Sequence, residues 1–367
     1  MNSLFMTSGQ GEFWRQLIAF NPTDRFIMRQ ATEVDALKEF LSRNDHRLVA
    51  GYFSYDLGMQ LLNLFSRHLT STYLAVLHAY DKWEEDTDIL WPEKSSKLDL
   101  SFRPEVDKNQ YSRDIKRIHN YIRAGDVYQI NYTQQLRDST SMGPRRLFPE
   151  LIQRHPAAYA CYFEYENTAL HSLSPELFLH FEDGILVTEP IKGTRPRGDT
   201  PHEDARLRQA LLDSEKEQAE LSMITDLLRN DLGEVCEVGS VHLDEIRKIH
   251  KLPRVWHTSS RISGQLHRRL SACDALLSML PGGSISGCPK KRAVEVIDEL
   301  ESSARGIYTG SIGYFHPAGD YSFNIAIRTL VQRGQQLSLG SGGGITIDSE
   351  WKAEWEELLV KASTFLQ

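Results

Sequence analysis

Hydrophobic residues form loosely ordered runs in the first third of this chain and sharper patterns after residue 110. A polar start of helical character precedes apolar runs at 48–57 and 73–80. A charged stretch, KWEEDTDILWPEKSSKLD, follows and is typical of a surface excursion. Ile115, Ile118 and Ile122 then recur at helical spacing, and the β-branched and aromatic run VYQINYTQQL favours a strand. The sequence therefore predicts a helix followed by a strand, with Gly125 suited to cap the helix.

The middle of the chain combines short strands with one long helix. Apolar runs at 157–165, 177–181 and 185–188 predict strands, and the Asp-Gly pair between the last two favours a tight antiparallel hairpin. The segment SEKEQAELSMITDLLRNDLG has helical periodicity. Ser214, with Glu217 three positions later, fits a capping box at its start.

The last eighty residues predict a helix, three strands and a closing helix. The helix begins near Pro289 and ends before Gly306. The segments GIYTGSIGYF, YSFNIAIRTLVQ and QLSLGSGGGITI predict strands, and a final helix starts at about Ser349. Strands and helices do not alternate as strict βαβ units. We therefore expect an α+β fold, a single large domain of antiparallel β-sheets layered with α-helices.

Composition and charge exclude several classes of partner and site. Its 367 residues carry a formal net charge of −8 and lack a basic block, so we expect no nucleic-acid partner. No apolar stretch is long enough for a membrane span and no secretion signal is visible, so we expect no membrane association and a cytoplasmic protein. The four cysteines lie far apart, without a C-x-x-C pair, and predict neither disulfides nor a zinc site.

Three groups of carboxylates could serve chemistry. Glu217 and Glu220 share one face of a predicted helix, Glu354 and Glu357 share a face of another, and Glu176 lies in the turn-like SLSPELF. If the two pairs converged, their oxygens would suit Mg²⁺ holding an anionic substrate. The alternative is a solvated acidic helix face, and Glu217 could also act as a cap.

Lys192, His257 and Arg328 are the candidates among the basic residues. Lys192 follows a predicted strand in EPIKGTRPRGD and would become a nucleophile only with a lowered pKa, through desolvation or nearby cations such as Arg195, Arg197 or a metal. His257 could serve as an acid near neutrality, or be a structural histidine. Arg328 stands in the apolar NIAIRTL, where it could bind a substrate carboxylate or form a structural ion pair. An ordinary surface lysine is the alternative for Lys192.

Eight ordered motifs resemble the chorismate-utilising enzyme family. They are SPELFL, PIKGTRPRG, KEQAELSMITDLLRNDLG, HTSSRISGQL, PGGSISGCPKKRA, GIYTGSIGYF, NIAIRTL and GSGGGITIDS. They cover residues 110–367, and GYFSYDLG at 51–58 adds support. The family comprises anthranilate, aminodeoxychorismate, isochorismate and salicylate synthases. The resemblance implies antiparallel sheets layered with helices and an Mg²⁺-dependent chorismate site, with residues 1–105 as the amino-terminal part of the fold and 106–367 as the catalytic region.

The resemblance also implies roles for individual residues. The matching positions for the metal carboxylates are Glu217, Glu220, Glu354 and Glu357. Those for groups that bind the substrate are Arg328, Tyr308, Ser284, Thr194, Lys361 and the glycine loop around Gly343. His257 corresponds to the group near the leaving oxygen, and Glu176 to the proton donor.

Two positions distinguish branches of the family. Gln129 stands where isochorismate and salicylate synthases carry the lysine that activates water, and Lys192 stands where anthranilate synthases have alanine. The form PIKGT resembles the aminodeoxychorismate synthases, in which this lysine attacks chorismate. The implied reaction requires the pKa of Lys192 to fall and that of Glu176 to rise.

No glutaminase segment is visible, so the ammonia is expected from a glutamine amidotransferase subunit or from solution. The alternatives to an aminodeoxychorismate synthase are an anthranilate synthase and a non-catalytic chorismate-binding relative.

Overall fold

The computed structural model describes residues 4–8, 11–68, 73–86, 98–251 and 255–363. These residues form two compact units. The larger unit contains the chain up to Pro175 together with the chain from Leu280 onward, and the smaller unit is Glu176–Met279. Much of the charged stretch that predicts a surface excursion, residues 87–97, lies outside the described residues. The predicted boundary near residue 105 stays a prediction.

The helices and strands follow in chain order. The first part of the larger unit contains β1 (Leu4–Thr7), β2 (Leu17–Phe20), β3 (Asp24–Met28), α1 (Val34–Arg43), β4 (Leu48–Phe53), α2 (Tyr55–Leu61), β5 (Ala75–Tyr80), β6 (Trp83–Glu85), β7 (Arg103–Pro104), α3 (Lys108–Arg123), β8 (Gln129–Ser139), α4 (Pro144–Arg154), β9 (Tyr159–Tyr165) and β10 (Thr168–Ser174). The smaller unit contains β11 (Leu177–Glu182), β12 (Ile185–Glu189), β13 (Ile191–Pro196), α5 (Pro201–Leu212), α6 (Glu215–Gly233), β14 (His242–Lys251), β15 (Val255–Gln265) and α7 (Ala272–Ser278). The rest of the larger unit contains β16 (Gly287–Cys288), α8 (Lys290–Leu300), β17 (Ser311–Phe315), β18 (Tyr321–Ile325), β19 (Thr329–Arg333), β20 (Gln336–Ile345) and α9 (Trp351–Ser363).

The larger unit is a sandwich of two antiparallel layers, with α1 packed on the second layer through Phe40 and Phe26 and other helices packed on the first. Its first sheet has the strand order β16-β8-β20-β19-β10-β9-β1-β2-β6, with β7 beside β8. Its second layer runs β18-β17-β4-β5-β3. The two layers meet through aromatic pairs such as Phe5 with Tyr314 and Tyr52 with Phe163. On the other side of the first sheet, Leu136 and Leu339 pack in one buried apolar cluster with Ile115 and Ile118 of α3.

The smaller unit is an antiparallel sheet accompanied by helices. The strand β15 pairs with β12, β13 and β14, and β11 pairs with β12. Leu221, Ile224 and Leu228 form the buried side of α6, which packs against β15 and β13. Ser214 caps α6 by accepting the backbone N–H of Glu217 at 3.5 Å.

The predicted α+β class with antiparallel sheets and helices is confirmed, and several local predictions agree with the structure. The Asp183-Gly184 turn between β11 and β12 has both residues at positive φ, as a two-residue hairpin requires. Gly125 follows α3 at φ 80, where a residue with a Cβ would be strained.

Four local predictions are wrong. The polar start is not helical but contains the strands β1, β2 and β3 before α1. The predicted strand YSFNIAIRTLVQ is two strands, interrupted at 326–328, and its neighbour GIYTGSIGYF is a strand only from Ser311. The capping box at Ser214 is incomplete, because the carboxylate of Glu217 accepts a hydrogen bond from Arg195 instead.

A buried ion pair joins α8 to the centre of the larger unit. The Arg305 guanidinium donates from Nε and Nη2 to the Glu301 carboxylate at 2.9 and 2.7 Å. The same carboxylate accepts the backbone N–H and hydroxyl of Thr133 at 2.9 and 2.8 Å. Arg305 also donates to the carbonyl of Ile285 at 2.8 Å and lies over the Tyr55 ring at 4.6 Å. The buried charges are thus supplied with hydrogen-bond partners.

We expect Arg305→Met to lower the free energy of unfolding by about 3–5 kcal/mol, because it leaves the Glu301 carboxylate buried without its cation. Denaturant unfolding measures the change. The control Arg229→Met removes the exposed pair with Asp226, at 2.8 Å, and should cost about 0–1 kcal/mol. Equal losses in the two variants would contradict a structural role for the buried pair.

Within the described part of the chain, no helix is both long enough and apolar enough to cross a membrane.

The four cysteines are free thiols, and burial raises the pKa of Cys161 to about 12 and that of Cys236 to about 11. Neither of these thiols is therefore activated as a nucleophile.

Candidate functional site

Lys192 lies in β13, opposite Thr258 of β15, and is half-buried. A β-bulge follows at Gly193, whose φ is 79°. The Thr258 hydroxyl donates to the Lys192 carbonyl, which fixes the backbone at this position. The predicted setting for the lysine, held by a strand and still reachable, agrees with this geometry.

His257 is buried and anchored through one ring nitrogen. Its Nδ1 lies 2.7 Å from the Thr194 hydroxyl and 3.5 Å from the Gly193 carbonyl oxygen. The register of the sheet brings these groups together, because Thr194 pairs directly with His257. Thr194, predicted to bind substrate, therefore also orients the histidine.

Glu217 projects from the first turn of α6 toward the same bulge. Its Oε1 accepts from Arg195 Nη1 at 2.5 Å, whereas its Oε2 is buried and has no hydrogen-bond partner among the described residues. A Cβ on Gly193 would lie 2.6 Å from this Oε2, so only glycine leaves room for the carboxylate. Glu220 lies on the same helix face, 3.9 Å from Lys216.

The cations expected near Lys192 are engaged elsewhere. Besides the contact of Arg195 with Glu217, Arg197 pairs with Asp204 at 2.7 Å and lies over the Trp256 ring at 4.7 Å. Each guanidinium is thus countered by a carboxylate, which weakens its electrostatic effect on the lysine. The partnership of Arg195 with Glu217 could not be found by inspecting motifs, because it joins β13 to α6.

In the larger unit, α9 brings its acidic pair to Gly343. The predicted glycine loop is wrong, because Gly343 lies within the strand β20 and pairs with Tyr132 of β8. A Cβ on Gly343 would lie 3.5 Å from Glu354 Oε2 and from Lys361 Nζ, and 3.8 Å from Glu357 Oε1. Glu354 is buried and its Oε1 accepts from the Ser349 hydroxyl at 2.8 Å. Lys361 contacts Glu357 at 2.7 Å and donates to the Gly342 carbonyl at 2.9 Å. Three predicted site residues therefore gather above Gly343.

Arg328 stands in the break between β18 and β19, with a φ of 46° that is rare for a side chain of this kind. It is half-buried, and burial lowers the pKa of its guanidinium. The described part of the chain provides its side chain with no ion pair or hydrogen bond, so the structural ion pair that the sequence left open is not formed there. Backbone strain of this kind recurs at functional sites.

Tyr308, Ser284, Gln129 and Glu176 are all buried. Gly340 allows the Tyr308 ring to lie directly on the β20 backbone, because a Cβ there would overlap the ring. Ser284 lies in a short 3₁₀ turn, Gly283–Ile285, and Glu176 immediately precedes β11. The Gln129 amide lies against Gly344, and its Oε1 has no hydrogen-bond partner among the described residues.

The donors suit a magnesium ion that keeps part of its water shell. Among the described residues, no three His, Cys, Asp or Glu side chains gather as a ligand cluster. Mg²⁺ commonly takes only one or two protein carboxylates, with waters and substrate oxygens completing the octahedron. In the smaller unit, Oε2 of Glu217 has no hydrogen-bond partner among the described residues and is a hard oxygen donor. In the larger unit, the carboxylates of Glu354 and Glu357 above Gly343 are donors of the same kind. The chemistry of each of these groups therefore fits such an ion.

The chain matches the family described as chorismate binding enzyme over residues 1–367, and it belongs to that family. The predicted family resemblance is thereby confirmed. The chain is 41% identical over 263 residues to anthranilate synthase component 1 1 of Haloarcula marismortui, and the match covers 72% of this chain and 54% of that protein. It is 40% identical over 262 residues to aminodeoxychorismate synthase component 1 of Bacillus subtilis, covering 71% of this chain and 56% of that protein.

The chain thus spans about half the length of these curated relatives. Among solved structures, anthranilate synthase component I from Streptococcus pneumoniae TIGR4 superposes with a TM-score of 0.83 at 24% identity. That alignment covers 98% of this chain and 94% of that one, and it confirms the predicted fold.

Proposed function

We propose that this chain is component I of an aminodeoxychorismate synthase, which converts chorismate and ammonia to 4-amino-4-deoxychorismate on the route to p-aminobenzoate and folate. The observation that carries the proposal is Lys192, half-buried on β13 beside the bulge and next to the strand that bears His257. The names of the relatives from Bacillus subtilis and Escherichia coli, 40% and 38% identical, support the same assignment.

The reaction would proceed through a covalent adduct. The neutral amine of Lys192 forms a bond to ring carbon 2 of chorismate while both ring double bonds shift, from carbons 1–2 and 5–6 to carbons 1–6 and 4–5, and the carbon 4–oxygen bond breaks. Glu176 gives its proton to the departing hydroxyl, which leaves as water, and His257 hydrogen-bonds that oxygen. Ammonia then forms a bond to carbon 4, both double bonds return, and the bond from carbon 2 to Lys192 breaks so that the lysine leaves as the amine. Two easier substitutions replace one difficult one.

The remaining residues would bind and orient the substrate. The Arg328 guanidinium suits a carboxylate bidentately, with Tyr308, Ser284 and the backbone at Gly343 adding hydrogen bonds. Bound Mg²⁺, held by Glu220 and Glu357 together with Glu217 and Glu354, would supply positive charge that neutralises and orients a substrate carboxylate. Lys361 would balance the charge of the α9 carboxylates.

The second candidate is an anthranilate synthase component I, which the similarity to the Haloarcula marismortui protein favours. Incubation with chorismate, ammonium and Mg²⁺, followed by mass spectrometry, separates the two. Aminodeoxychorismate retains the enolpyruvyl group, whereas anthranilate has lost it as pyruvate. Formation of anthranilate alone would overturn the proposal.

We expect the isolated chain to turn over chorismate with ammonium at alkaline pH and to be inactive with glutamine, because it would rely on an amidotransferase subunit for ammonia. Product formation is measured while ammonium is varied at fixed pH, so that only the ammonia concentration changes. Adding a glutaminase subunit should restore activity with glutamine. Turnover of glutamine by the pure chain would contradict the need for that partner.

Removing the metal or one of its carboxylates should abolish turnover without unfolding the chain. We expect excess chelator, or Glu357→Ala, to reduce kcat/KM by about 100-fold or more. Glu357→Lys should be worse, because it places a cation in the metal site. Glu356→Gln, on the neighbouring exposed position of α9, is the control. Full activity in chelator, at an unchanged unfolding temperature, would exclude the metal from the reaction.

A further inference from the structure

Glu217, one of the four carboxylates proposed to hold the metal, already binds a cation that the chain itself provides. Its Oε1 accepts from Arg195 Nη1 at 2.5 Å. The same Nη1 donates to the carbonyl of Thr194 at 2.9 Å. The guanidinium is therefore held beside β13 by the backbone of the strand as well as by the carboxylate.

The second oxygen of Glu217 is enclosed by the bulge of β13. Oε2 is buried and has no hydrogen-bond partner among the described residues. A Cβ on Gly193 would lie 2.6 Å from this oxygen, 2.8 Å from Leu211 Cδ1 and 3.2 Å from Thr258 Oγ1, so these groups surround one small space. A magnesium ion keeps several waters at about 2.1 Å and needs more room than this. The carboxylate therefore has to turn out of the enclosure to reach a hydrated ion.

The other predicted metal carboxylates have basic neighbours that are more exposed to water. Lys216 lies 3.9 Å from Glu220, and 64% of the lysine side chain is exposed. Lys361 contacts Glu357 at 2.7 Å, but that glutamate side chain is 55% exposed, against 18% for Glu217. Water screens exposed pairs, whereas pairs withdrawn from water attract each other more strongly. Among these three pairs, a divalent cation has most to displace at Glu217.

We propose that Arg195 sets the affinity of this chain for its metal by competing with the ion for Glu217. The inference rests on the proposed use of Glu217 as a metal carboxylate. Without metal, the guanidinium neutralises the carboxylate. When the ion binds, Glu217 exchanges one cation for the other, and the Arg195 side chain, which is 32% exposed, turns toward water. Because like charges repel, removing the guanidinium should strengthen metal binding.

Mn²⁺ is the probe, because it accepts the same oxygen ligands as Mg²⁺ and its electron paramagnetic resonance signal reports the free ion. The full chain is titrated without chorismate. We expect Arg195→Gln to lower the dissociation constant of Mn²⁺ by about tenfold or more. Arg195→Lys keeps the charge and should stay within about threefold of the wild type. A tenfold gain in Arg195→Gln that Arg195→Lys does not share would support competition by charge.

The matched control is Arg229→Gln, which removes the same charge from the same helix. Arg229 forms an exposed pair with Asp226, and it lies twelve residues beyond Glu217 on α6, or about 18 Å along the helix axis. That distance exceeds the Debye length of about 8 Å at physiological salt. The affinity for Mn²⁺ should therefore equal that of the wild type. A gain as large as that of Arg195→Gln would overturn the proposal.

A double-mutant cycle shows whether the effect passes through Glu217. In a Glu217→Gln chain, Arg195→Gln should no longer change the affinity, because no carboxylate is left to compete for. An equal gain with and without Glu217 would show a general effect of charge and overturn the proposal. Weaker binding of Mn²⁺ by Arg195→Gln would also overturn it, because the guanidinium would then orient the carboxylate for the metal.

Unfolding distinguishes a competing arginine from a purely structural one. Without metal, Arg195→Gln should unfold at a lower denaturant concentration than the wild type, because Glu217 loses its cation. One concentration of Mn²⁺ should then raise the midpoint of the variant more than that of the wild type, since the variant binds the ion more tightly. A lower midpoint with unchanged affinity overturns this inference alone. If neither chain binds Mn²⁺ at millimolar concentrations, the metal assignment fails with it.

Discussion

Replacing Lys192 with alanine is expected to reduce aminodeoxychorismate formation by about 10³-fold, or about 4 kcal/mol of activation free energy, while chorismate still binds. The covalent route is lost, but Arg328 and the metal carboxylates are retained. Some weakening of binding is expected in any case, because the substitution removes a cation beside a dianion. Steady-state kinetics with saturating ammonium measures the loss. Lys251→Ala, at the exposed end of β14, serves as the control.

The covalent adduct is the observation that separates a nucleophile from an electrostatic lysine. Exposure of the wild-type chain to chorismate and Mg²⁺ without ammonia should add mass to the intact protein, and peptide mapping should locate it on Lys192. The adduct should disappear when ammonium is added, because ammonia displaces the lysine. If no adduct forms and Lys192→Ala reaches the wild-type rate with ammonium, ammonia attacks chorismate directly.

Local sequence signals predicted the elements whose stability is local. The Asp183-Gly184 turn and the Ser214 cap of α6 depend on residues within four positions of each other. The strands at the amino terminus do not. In β1, Phe5 pairs with Phe163, far along the chain, and this four-residue strand carries too little periodicity to be distinguished from a helix.

The candidate site shows the same division. Motifs directed attention to Glu217, Lys361 and Arg328, whose roles in the site stay predictions. The Arg195–Glu217 pair was not predictable, since it depends on how β13 and α6 pack. Lys361 and Glu357, in contrast, lie four residues apart on α9, a spacing that brings two side chains together on one helix face. The apolar pattern of NIAIRTL also concealed the break at Arg328. A positive φ at a non-glycine residue has no counterpart in a hydrophobicity pattern.

Replacing Arg328 provides the second large expected effect. The change in the free energy of unfolding is more informative here than the change in activity. Arg328→Gln should lower kcat/KM by about 10³-fold, because a buried carboxylate of the substrate would lose its charged partner. The free energy of unfolding should stay the same or rise by up to about 2 kcal/mol, because the substitution removes a desolvated cation for which the described residues provide no counter-ion. Glutamine has the same preference against positive φ, so the backbone strain does not change between the two chains.

The opposite signs of these effects distinguish a substrate-binding arginine from a structural one. Arg305→Gln should lower the free energy of unfolding, because Arg305 is paired with Glu301, whereas Arg328→Gln should lower only the activity. Arg328→Lys keeps the charge but not the planar fork, so its kcat/KM should fall between those of the wild type and Arg328→Gln. Denaturant unfolding and steady-state kinetics on the same preparations give both quantities. A loss of more than about 1 kcal/mol of stability with activity retained would show that Arg328 serves the fold, because its charge would then be paired within the protein.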